Sequence, residues 1–478
     1  MNILFDQQMK SRATGETMSD IGERLDRLPI TSLHRRAIAV LAFAYFFELA
    51  DLNTFGYAAT GILEQWHIQI HTVALITSAS FFGMFFGSTV GGGLADRYGR
   101  KRAFIVSVLI YTAASLANAI SWNVASLSFF RLVTGVGLSA VTVIANTYLS
   151  EVFPARVRGK SMAIVMTIGL IGIPATAWVA RFVIPMAPWG WRVVFIWGAL
   201  GMLVLPFAIR MRESPRWLLI NGRADEAEAI VAAYERTATA EFGSLEALQP
   251  IAAGGGLGAS HAEKGNFADL FSPLYRGRTI MLLILWALSV LGFYGFIAWV
   301  PTLLVKQGFS VVKSLNYASL IAICNPVGAV LALALIERFE RKFLFAIFAV
   351  FVAFVVTAYG WTFNPTLIVI YGVLVVIGIQ ATTVVIYTYT PEVYPTAVRG
   401  AGMGLAYGAG RLANVLGPFV VSTLYGAAGY LSVFLYIAVC YLAAAALLSV
   451  LGLRVTGRSL EVAATESGVA IQCTGRGL

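Results

Sequence analysis

The feature that most constrains this chain is a series of long apolar stretches without a charged residue. A helix needs about 20 mostly apolar residues to cross a lipid bilayer. Two stretches, 343–391 and 412–453, are long enough for two crossings each, and they divide near Asn364-Pro365 and near Gly426–Gly429. One further crossing is expected near 36–58, where acidic residues interrupt the apolar sequence. Seven stretches are long enough for a single crossing: 65–95, 103–130, 132–150, 161–180, 193–209, 279–305 and 314–336.

The sequence therefore predicts an all-α membrane protein with twelve transmembrane helices, numbered as spans 1 to 12 in chain order. The composition agrees, because charged residues make up only 12% of the chain, whereas a soluble domain carries about 25%. Five segments follow from this division. They are an N-terminal tail (1–35), a first six-helix bundle (36–210), a polar linker with an amphipathic helix (211–278), a second six-helix bundle (279–453) and a C-terminal tail (454–478).

The distribution of basic residues predicts the orientation of the spans. If both termini lie in the cytoplasm, 28 of the 34 Lys and Arg residues fall in cytoplasmic segments, in agreement with the positive-inside rule. The net charge of +10 then follows from membrane topology, and no nucleic-acid partner is expected. The chain holds no Asn-X-Ser/Thr glycosylation sequon, which fits a bacterial inner membrane.

The two bundles carry an internal repeat. The segment 96–101 (DRYGRK) matches 337–342 (ERFERK), and 150–159 (SEVFPARVRG) matches 391–400 (PEVYPTAVRG), both at an offset of 241 residues. Two matches at one offset predict a duplicated six-helix unit, and hence two pseudo-symmetric six-helix bundles. Parallel repeats of this kind surround a central site in transporters that work by alternating access.

The repeated loop motifs place acidic and basic residues at matched positions of the two halves. Such pairs at helix ends are expected to hold the two halves together in one conformational state; the alternative is simple anchoring by the positive-inside rule. Arg131 in span 4 is assigned a structural or coupling role in the same set. The predicted latch residues are Asp96, Arg100, Lys101, Glu151 and Arg158 in the first half and Glu337, Arg341, Glu392 and Arg399 in the second.

Several motifs resemble those of the major facilitator superfamily. The segment 92–102 (GGLADRYGRKR) is similar to the signature between helices 2 and 3, and 131–137 (RLVTGVG) is similar to the helix 4 signature. The segment 213–218 (ESPRWL) resembles the motif that follows helix 6 in sugar porters and organic-ion transporters. The resemblance implies the major facilitator fold and secondary transport.

A closer resemblance is to bacterial niacin transporters and their synaptic-vesicle-protein relatives. It rests on 294–301 (YGFIAWVP), 308–310 (GFS), 389–399 (YTPEVYPTAVR) and the acidic pair in 47–51 (FELAD). The C-terminal sugar-porter motif Pro-Glu-Thr-Lys-Gly is absent after span 12, which argues against a sugar. The resemblance implies a nicotinate-like aromatic carboxylate as substrate.

Two acidic residues, Glu48 and Asp51, are the only ones of 24 that fall well inside a span. Their i, i+3 spacing places them on one face of span 1, and ionisable groups within a bilayer are usually functional. We expect this pair to load and release a proton during transport, with Asp51 as the first choice. The alternative is a structural ion pair with a buried arginine.

Arg411 lies in the middle of span 11 between small residues, and a guanidinium binds a carboxylate in bidentate fashion. It is therefore the predicted anchor for an anionic substrate, although a salt bridge to span 1 is the rival interpretation. Aromatic side chains are expected to wall a planar ligand, and intramembrane amides are expected to bind its polar atoms. These candidates are Tyr57, Phe293, Tyr294 and Tyr387 together with Asn325, Gln380 and Asn414.

The sequence thus predicts a secondary active transporter, most simply a proton symporter of a small organic acid that acts as a monomer. A sugar, organic-cation or drug transporter of the same fold, importing or exporting, remains open, as does a membrane sensor that does not transport. No pattern of a nucleophilic, zinc-dependent or phosphate-transferring enzyme is present, so no enzymatic activity, cofactor or metal site is expected. Gly83, Gly87 and Gly91 repeat every four residues, which predicts close helix packing.

Overall fold

The computed structural model describes residues 21–244, 267–336, 338–394 and 396–454, and these are almost entirely helical with no β-strand among them. The first four spans are single continuous helices. Their bounds are Ser32–Trp66 for span 1, Ile70–Tyr98 for span 2, Arg100–Ala119 for span 3 and Val124–Val152 for span 4.

Four of the later spans are built from consecutive helical segments. Span 5 consists of Ala155–Leu170 and Gly172–Val183, and span 6 of Gly190–Ala199 continued by a 3₁₀ turn, Leu200–Val204, and by Leu205–Ala208. Span 7 consists of Arg276–Ile297 and Val300–Lys306, and span 8 of Val311–Ala322 and Asn325–Leu335. Pro174, Pro301 and Pro326 lie in the first turn of the second segments of spans 5, 7 and 8, where a missing N–H is tolerated.

The last four spans confirm the two divisions that the sequence predicts. Span 9 is Arg341–Trp361 and span 10 is Pro365–Glu392, and Asn364 begins span 10 by accepting a hydrogen bond from the Thr366 N–H at 2.9 Å. The helix Thr396–Leu451 contains spans 11 and 12, since Gly429 interrupts it with a φ of +78°. Glycine adopts this left-handed conformation without a steric penalty. The all-α architecture with twelve spans is therefore confirmed.

The predicted glycine contact joins spans 2 and 4. A Cβ on Gly83 would collide with the backbone oxygen of Leu132, and a Cβ on Gly87 would collide with that of Val136. Gly135 of span 4 lies equally close to the backbone of span 2. The helix-packing prediction is therefore confirmed, because only residues without a side chain allow two backbones to approach in this way.

The polar segments before span 1 and after span 6 pack against each other. Arg24 binds Glu228 at 2.7 Å and Glu235 at 2.8 Å, and Arg27 binds Glu235 at 2.6 Å. Glu228 and Glu235 belong to the linker helix Ala224–Phe242, which follows the short helix Pro215–Ile220. Hydrogen bonds from Arg24, and then from Arg27, outweigh the opposing effect of burial and hold the pKa of Glu235 below its usual range. The linker helix is thereby attached to the first half.

The two halves contact each other near one side of the membrane. We call the side with the loops Tyr98–Arg100 and Phe153–Pro154 the basic face, and the other side the opposite face. Near the opposite face, the rings of His71 in span 2 and Phe419 in span 11 are 5.6 Å apart. There, too, a Cβ on Gly56 of span 1 would lie 3.1 Å from the backbone oxygen of Ala298. The central region is therefore closed toward the opposite face.

Candidate functional site

The carboxylate of Asp51 is buried in the first half. Its side chain is fully inaccessible to solvent, and its Oδ1 accepts a hydrogen bond from the Ser115 hydroxyl of span 3 at 2.6 Å. Its Oδ2 has no hydrogen-bond partner among the residues that the structure describes. Because burial of an unpaired carboxylate oxygen is costly, Asp51 lies in a position where a bound proton would change its energy strongly.

Arg131 is the buried cation whose charge acts on Asp51. Its Nε donates to the Ser80 hydroxyl at 2.9 Å and its Nη1 to the Thr54 hydroxyl at 3.3 Å, while Phe55 and Phe195 flank the guanidinium at 5.7 and 5.9 Å from their ring centroids. Arg131 interacts electrostatically with Asp51, yet the two form no ion pair within 4.0 Å. Asp51 and Arg131 therefore do not form, in this conformation, the direct salt bridge that was the alternative to a proton-coupling role.

Glu48 lies one turn before Asp51 and points to a different neighbour. It is 2% exposed, and its Oε1 accepts a hydrogen bond from the Thr142 hydroxyl of span 4 at 2.9 Å. It also interacts electrostatically with Arg411 of the second half and with Asp51. The two acidic residues thus connect Arg131 within the first half to Arg411 across the interface between the halves.

Arg411 reaches from span 11 toward the first half. Its Nη1 lies 3.4 Å from the Sδ of Met84 in span 2, and the side chain is only partly buried. It interacts electrostatically with Tyr294 and Tyr387 as well as with Glu48, but within the described part of the chain it forms no ion pair shorter than 4.0 Å. A guanidinium without an ion pair, in a polar region between two halves, can bind the carboxylate of a small molecule.

Three aromatic side chains of the second half form a cluster beside this region. The ring of Trp286 in span 7 lies 4.8 Å from that of Tyr387 and 4.4 Å from that of Tyr407, and the two tyrosine rings are 5.1 Å apart. Tyr387 remains 38% exposed although it lies within span 10. Because Tyr387 also interacts electrostatically with Arg411 and Glu48, its exposed part borders a space between the two halves, which we call the central chamber.

The sequence did not single out Trp286 and Tyr407, nor Tyr45 of the first half. Most aromatic residues of a membrane protein face lipid, so the type alone gives no signal. Tyr407 lies four residues before Arg411, and this i, i+4 spacing is the pattern that points to it. Tyr45, whose hydroxyl donates to Asn146 at 2.7 Å, interacts electrostatically with Glu48, Tyr387 and Tyr407.

The remaining aromatic candidates lie in two neighbouring places. Tyr294 contacts Phe81 across the interface, with 4.8 Å between their ring centroids, and Phe293 packs on Tyr294 at 4.9 Å. Tyr294 also lines a small cavity on the opposite-face side, together with Arg131. Tyr57 is buried at the interface and lines a separate cavity with Asn325.

The intramembrane amides are not equivalent. The Gln380 amide donates to Asn325 Oδ1 at 2.7 Å, and the Asn325 amide donates to the backbone oxygen of Ala322 at 2.7 Å. These two residues therefore bind each other and join spans 8 and 10. Asn414 differs, because its buried Nδ2 finds no hydrogen-bond partner in the described ranges and it lines a cavity with Tyr294.

The latch candidates form ion pairs within each half at the basic face. Arg100 binds Glu151 at 2.7 Å and Asp96 at 3.0 Å in the first half, and Arg341 binds Glu392 at 2.7 Å in the second. Arg131 lies away from these pairs, inside the membrane. Glu337 and the side chain of Arg399 lie outside the described residues.

Arg158 and Lys101 contact other partners. Arg158 lies 3.9 Å from Asp26, and the backbone N–H of Lys101 donates to Glu213 at 3.1 Å. The indole N–H of Trp217 donates to the backbone oxygen of Asp96 at 2.7 Å. The segment 213–218 therefore stabilises the turn between spans 2 and 3, a contact that the sequence did not predict. The predicted contact of latch residues between the two halves stays a prediction.

The twelve-span fold and the polar chamber between its halves define the class of protein: a multi-pass membrane transporter of the major facilitator superfamily. Residues 36–466 match the family described as "Sugar (and other) transporter", and the chain belongs to this family. It is a transporter of small metabolites and not an enzyme, as the sequence predicts.

Individual relatives extend over nearly the whole chain. The putative metabolite transport protein YyaJ of Bacillus subtilis (strain 168) is 41% identical over 452 residues, which cover 95% of this chain and 98% of that protein. The niacin transporter NiaP of Acinetobacter baylyi (strain ATCC 33305 / BD413 / ADP1) is 32% identical over 444 residues, which cover 92% and 99%. The structure of the xylose transporter XylE from E. coli in a partially occluded inward-open conformation superposes with a TM-score of 0.71 at 17% identity, covering 89% of this chain and 99% of XylE.

Proposed function

We propose that the protein is a proton-coupled symporter of a small aromatic carboxylate such as nicotinate. The observation that carries the proposal is Arg411, a cation that forms no ion pair with any described residue and lies beside the aromatic cluster of Trp286, Tyr387 and Tyr407. A guanidinium binds a carboxylate in a planar, bidentate geometry, and flat aromatic side chains pack well on a planar ring. The similarity to a relative described as a niacin transporter supports the same substrate class.

Proton coupling is assigned to Asp51, with Glu48 as its partner. When Asp51 is charged, the nearby Arg131 favours the charged form, whereas burial favours the protonated form. When the balance of these two opposing effects changes with conformation, the carboxyl group can take up a proton in one conformation and release it in another. Glu48 links this event to the substrate, since it interacts with Arg411 and would compete with a bound carboxylate for the same guanidinium.

We assign the basic face to the cytoplasm and place the protein in the inner membrane of a bacterium, with both termini cytoplasmic. The positive-inside distribution supports this orientation. The conformation described above then faces the cytoplasm, where the substrate and the proton would be released. The protein is proposed to work as a monomer, because each chain contains both halves of the central chamber.

A sugar is the second candidate substrate, and the unpaired amide of Asn414 favours it. Amide groups bind sugar hydroxyls, and Asn414 lines a cavity next to the central chamber. A sugar would not require the cation of Arg411, so the two candidates differ in their dependence on that residue.

The test is uptake of labelled nicotinate into proteoliposomes that contain the purified protein, with and without an inward proton gradient. We expect accumulation that depends on the gradient and that unlabelled xylose does not inhibit. Asp51→Asn should abolish gradient-driven accumulation while it leaves exchange of labelled for unlabelled nicotinate intact. Asp225→Asn, which removes an exposed carboxylate of the linker helix, is the matched control and should behave as the wild type.

Two results would contradict the proposal. Absence of nicotinate transport, together with saturable uptake of xylose, would favour the sugar. Nicotinate uptake by the wild type that does not depend on the proton gradient would contradict proton coupling but not the substrate assignment.

A further inference from the structure

Two buried polar atoms near the acidic pair lack a hydrogen bond within the residues that the structure describes. One is Oδ2 of Asp51 and the other is the hydroxyl of Tyr111 in span 3, whose side chain is fully inaccessible to solvent. An unpaired buried hydroxyl destabilises a folded protein. Phenylalanine would fill the same space without that cost, so packing alone does not account for a tyrosine at this position.

The space around these two atoms is shaped by glycines of span 6. A Cβ on Gly198 would collide with Oδ1 of Asp51, and a Cβ on Gly201 would collide with the hydroxyl of Tyr111. Gly198 and Gly201 lie three residues apart, which corresponds to roughly 5 Å along the helix. The carboxylate and the hydroxyl therefore approach span 6 at adjacent positions, where any larger residue would displace them.

Tyr111 is surrounded by the groups that are proposed to carry the proton. Two charged residues of span 1 interact electrostatically with Tyr111, and the effect of Asp51 is larger than that of Glu48. Ser115, one turn further along span 3, donates to Asp51. Span 4 packs on Tyr111 through Gly137, and its Arg131 interacts electrostatically with Asp51. The part of span 6 that touches Tyr111 supplies no titratable group.

The two unpaired atoms are chemically complementary. A phenolic O–H donates a hydrogen bond, and a carboxylate oxygen accepts one. A hydrogen bond to a charged acceptor stabilises the charged form of that acceptor. A small change in the spacing of spans 1, 3 and 6 would bring the Tyr111 hydroxyl into contact with the carboxylate once the latter has lost its proton.

We propose that Tyr111 is a positioning residue for the proton. After proton release, its hydroxyl donates a hydrogen bond to whichever carboxylate, that of Asp51 or that of Glu48, has become charged. The inference rests on the proposed proton coupling, and it adds a third residue to that machinery. No covalent bond changes in this step, because the tyrosine keeps its proton and only its hydrogen-bond acceptor changes. Gly198 and Gly201 keep open the space in which the hydroxyl and the carboxylate meet.

The test follows proton binding directly and needs no substrate. Infrared difference spectra of the purified protein in lipid are recorded against pH, and the band of the protonated carboxyl group is assigned by its loss in Asp51→Asn or Glu48→Gln. In Tyr111→Phe we expect this band to appear at a pH about one unit higher than in the wild type, because one hydrogen bond to the charged form is lost. The variant should also be at least as heat-stable as the wild type, because an unpaired hydroxyl has been removed.

Tyr359→Phe is the matched control, since it removes another fully buried hydroxyl, on span 9 of the second half. It should leave the pH of the carboxyl band unchanged. If Tyr111→Phe does not fold, Gly201→Ala tests the same contact by displacing the hydroxyl, and it should shift the band in the same direction.

An unchanged band in a folded Tyr111→Phe protein would overturn the inference even if nicotinate uptake is proton-driven. Absence of any titrating carboxyl band in the wild type would overturn both the inference and the proton-coupling part of the proposed function. Lack of nicotinate uptake, by contrast, concerns the substrate alone and leaves the spectroscopic result to decide the role of Tyr111.

Discussion

Replacement of Glu151 by glutamine tests whether the ion pair with Arg100 stabilises the first half or holds the two halves together. Arg100 donates to both carboxylate oxygens of Glu151, at 2.7 and 2.9 Å, and to the backbone oxygen of Ala95 at 3.0 Å. The side chains of Arg100 and Glu151 are only 7% and 16% exposed. The pair is therefore largely shielded from solvent and joins the start of span 3 to the end of span 4.

The expected loss follows from these contacts. Removal of one partner of a buried ion pair costs roughly 3–5 kcal/mol. Here a glutamine carbonyl still accepts one hydrogen bond, and both the Ala95 carbonyl and Asp96 remain next to the guanidinium. We therefore expect Glu151→Gln to lower the free energy of unfolding by about 2 kcal/mol. Asp96→Asn removes a carboxylate that is 73% exposed and should cost less than about 1 kcal/mol.

Thermal denaturation of the purified protein, followed by tryptophan fluorescence, measures the difference between the two variants. Disulfide cross-linking of the double variant His71→Cys, Phe419→Cys reports in parallel how often the opposite face is closed. A contact within one half should change the denaturation temperature and leave the cross-linked fraction unchanged. Equal stability of Glu151→Gln and the wild type would refute the reasoning, and an altered cross-linked fraction would instead support a latch between the halves.

Three further outcomes are expected. Arg411→Lys should weaken nicotinate binding about tenfold or more, because a point charge replaces a planar fork. Arg181→Lys, near the end of span 5, is the control and should bind nicotinate as the wild type does. Equal nicotinate affinity of the two variants would contradict the role of Arg411 as the substrate anchor. Gly87→Ala should destabilise the protein by about 1–3 kcal/mol in the same denaturation assay, because its Cβ collides with the backbone of span 4. The pKa of Glu235 is lowered, so its ion pairs stabilise the protein fully above the usual glutamate pKa of about 4.3, and this stability is lost as the pH falls through the lowered pKa of the folded protein. The protection of the linker-helix amides, which is their exchange rate relative to that of an unfolded chain at the same pH, should therefore fall in that range, and also at pH 7 in Arg24→Gln. Equal protection of the helix at pH 7 in Arg24→Gln and in the wild type would contradict this.

The positions of the spans could be predicted from the sequence because the bilayer acts on local properties. Length and apolar character decide which segments cross the membrane, so twelve spans follow without knowledge of any contact. The break at Gly429 and the start of span 10 at Pro365 could likewise be predicted from the sequence, because glycine and proline have backbone preferences of their own. The spacing of Gly83 and Gly87 also predicts a helix contact, although it does not say that span 4 is the partner.

The candidate site could be predicted only in part. Glu48, Asp51, Arg131 and Arg411 stand out in the sequence because ionisable groups inside a bilayer are rare. Their partners carry no such signal. Thr142, Ser115 and Met84 are ordinary residues of a membrane helix, and nothing in their type or spacing points to an acidic or basic neighbour.

The sequence by itself thus determined the number of spans, the two divisions near Asn364-Pro365 and Gly429, the duplication and the ionisable residues within the membrane. The tertiary structure decided which helix faces meet: it placed Arg411 beside Met84 of the other half, and Tyr111 beside Asp51 at the glycines of span 6. The physical reason is that a span enters the membrane through its own hydrophobicity, independently of its neighbours. Contacts between spans, in contrast, depend on the complementary shape of two distant segments, which no local pattern specifies.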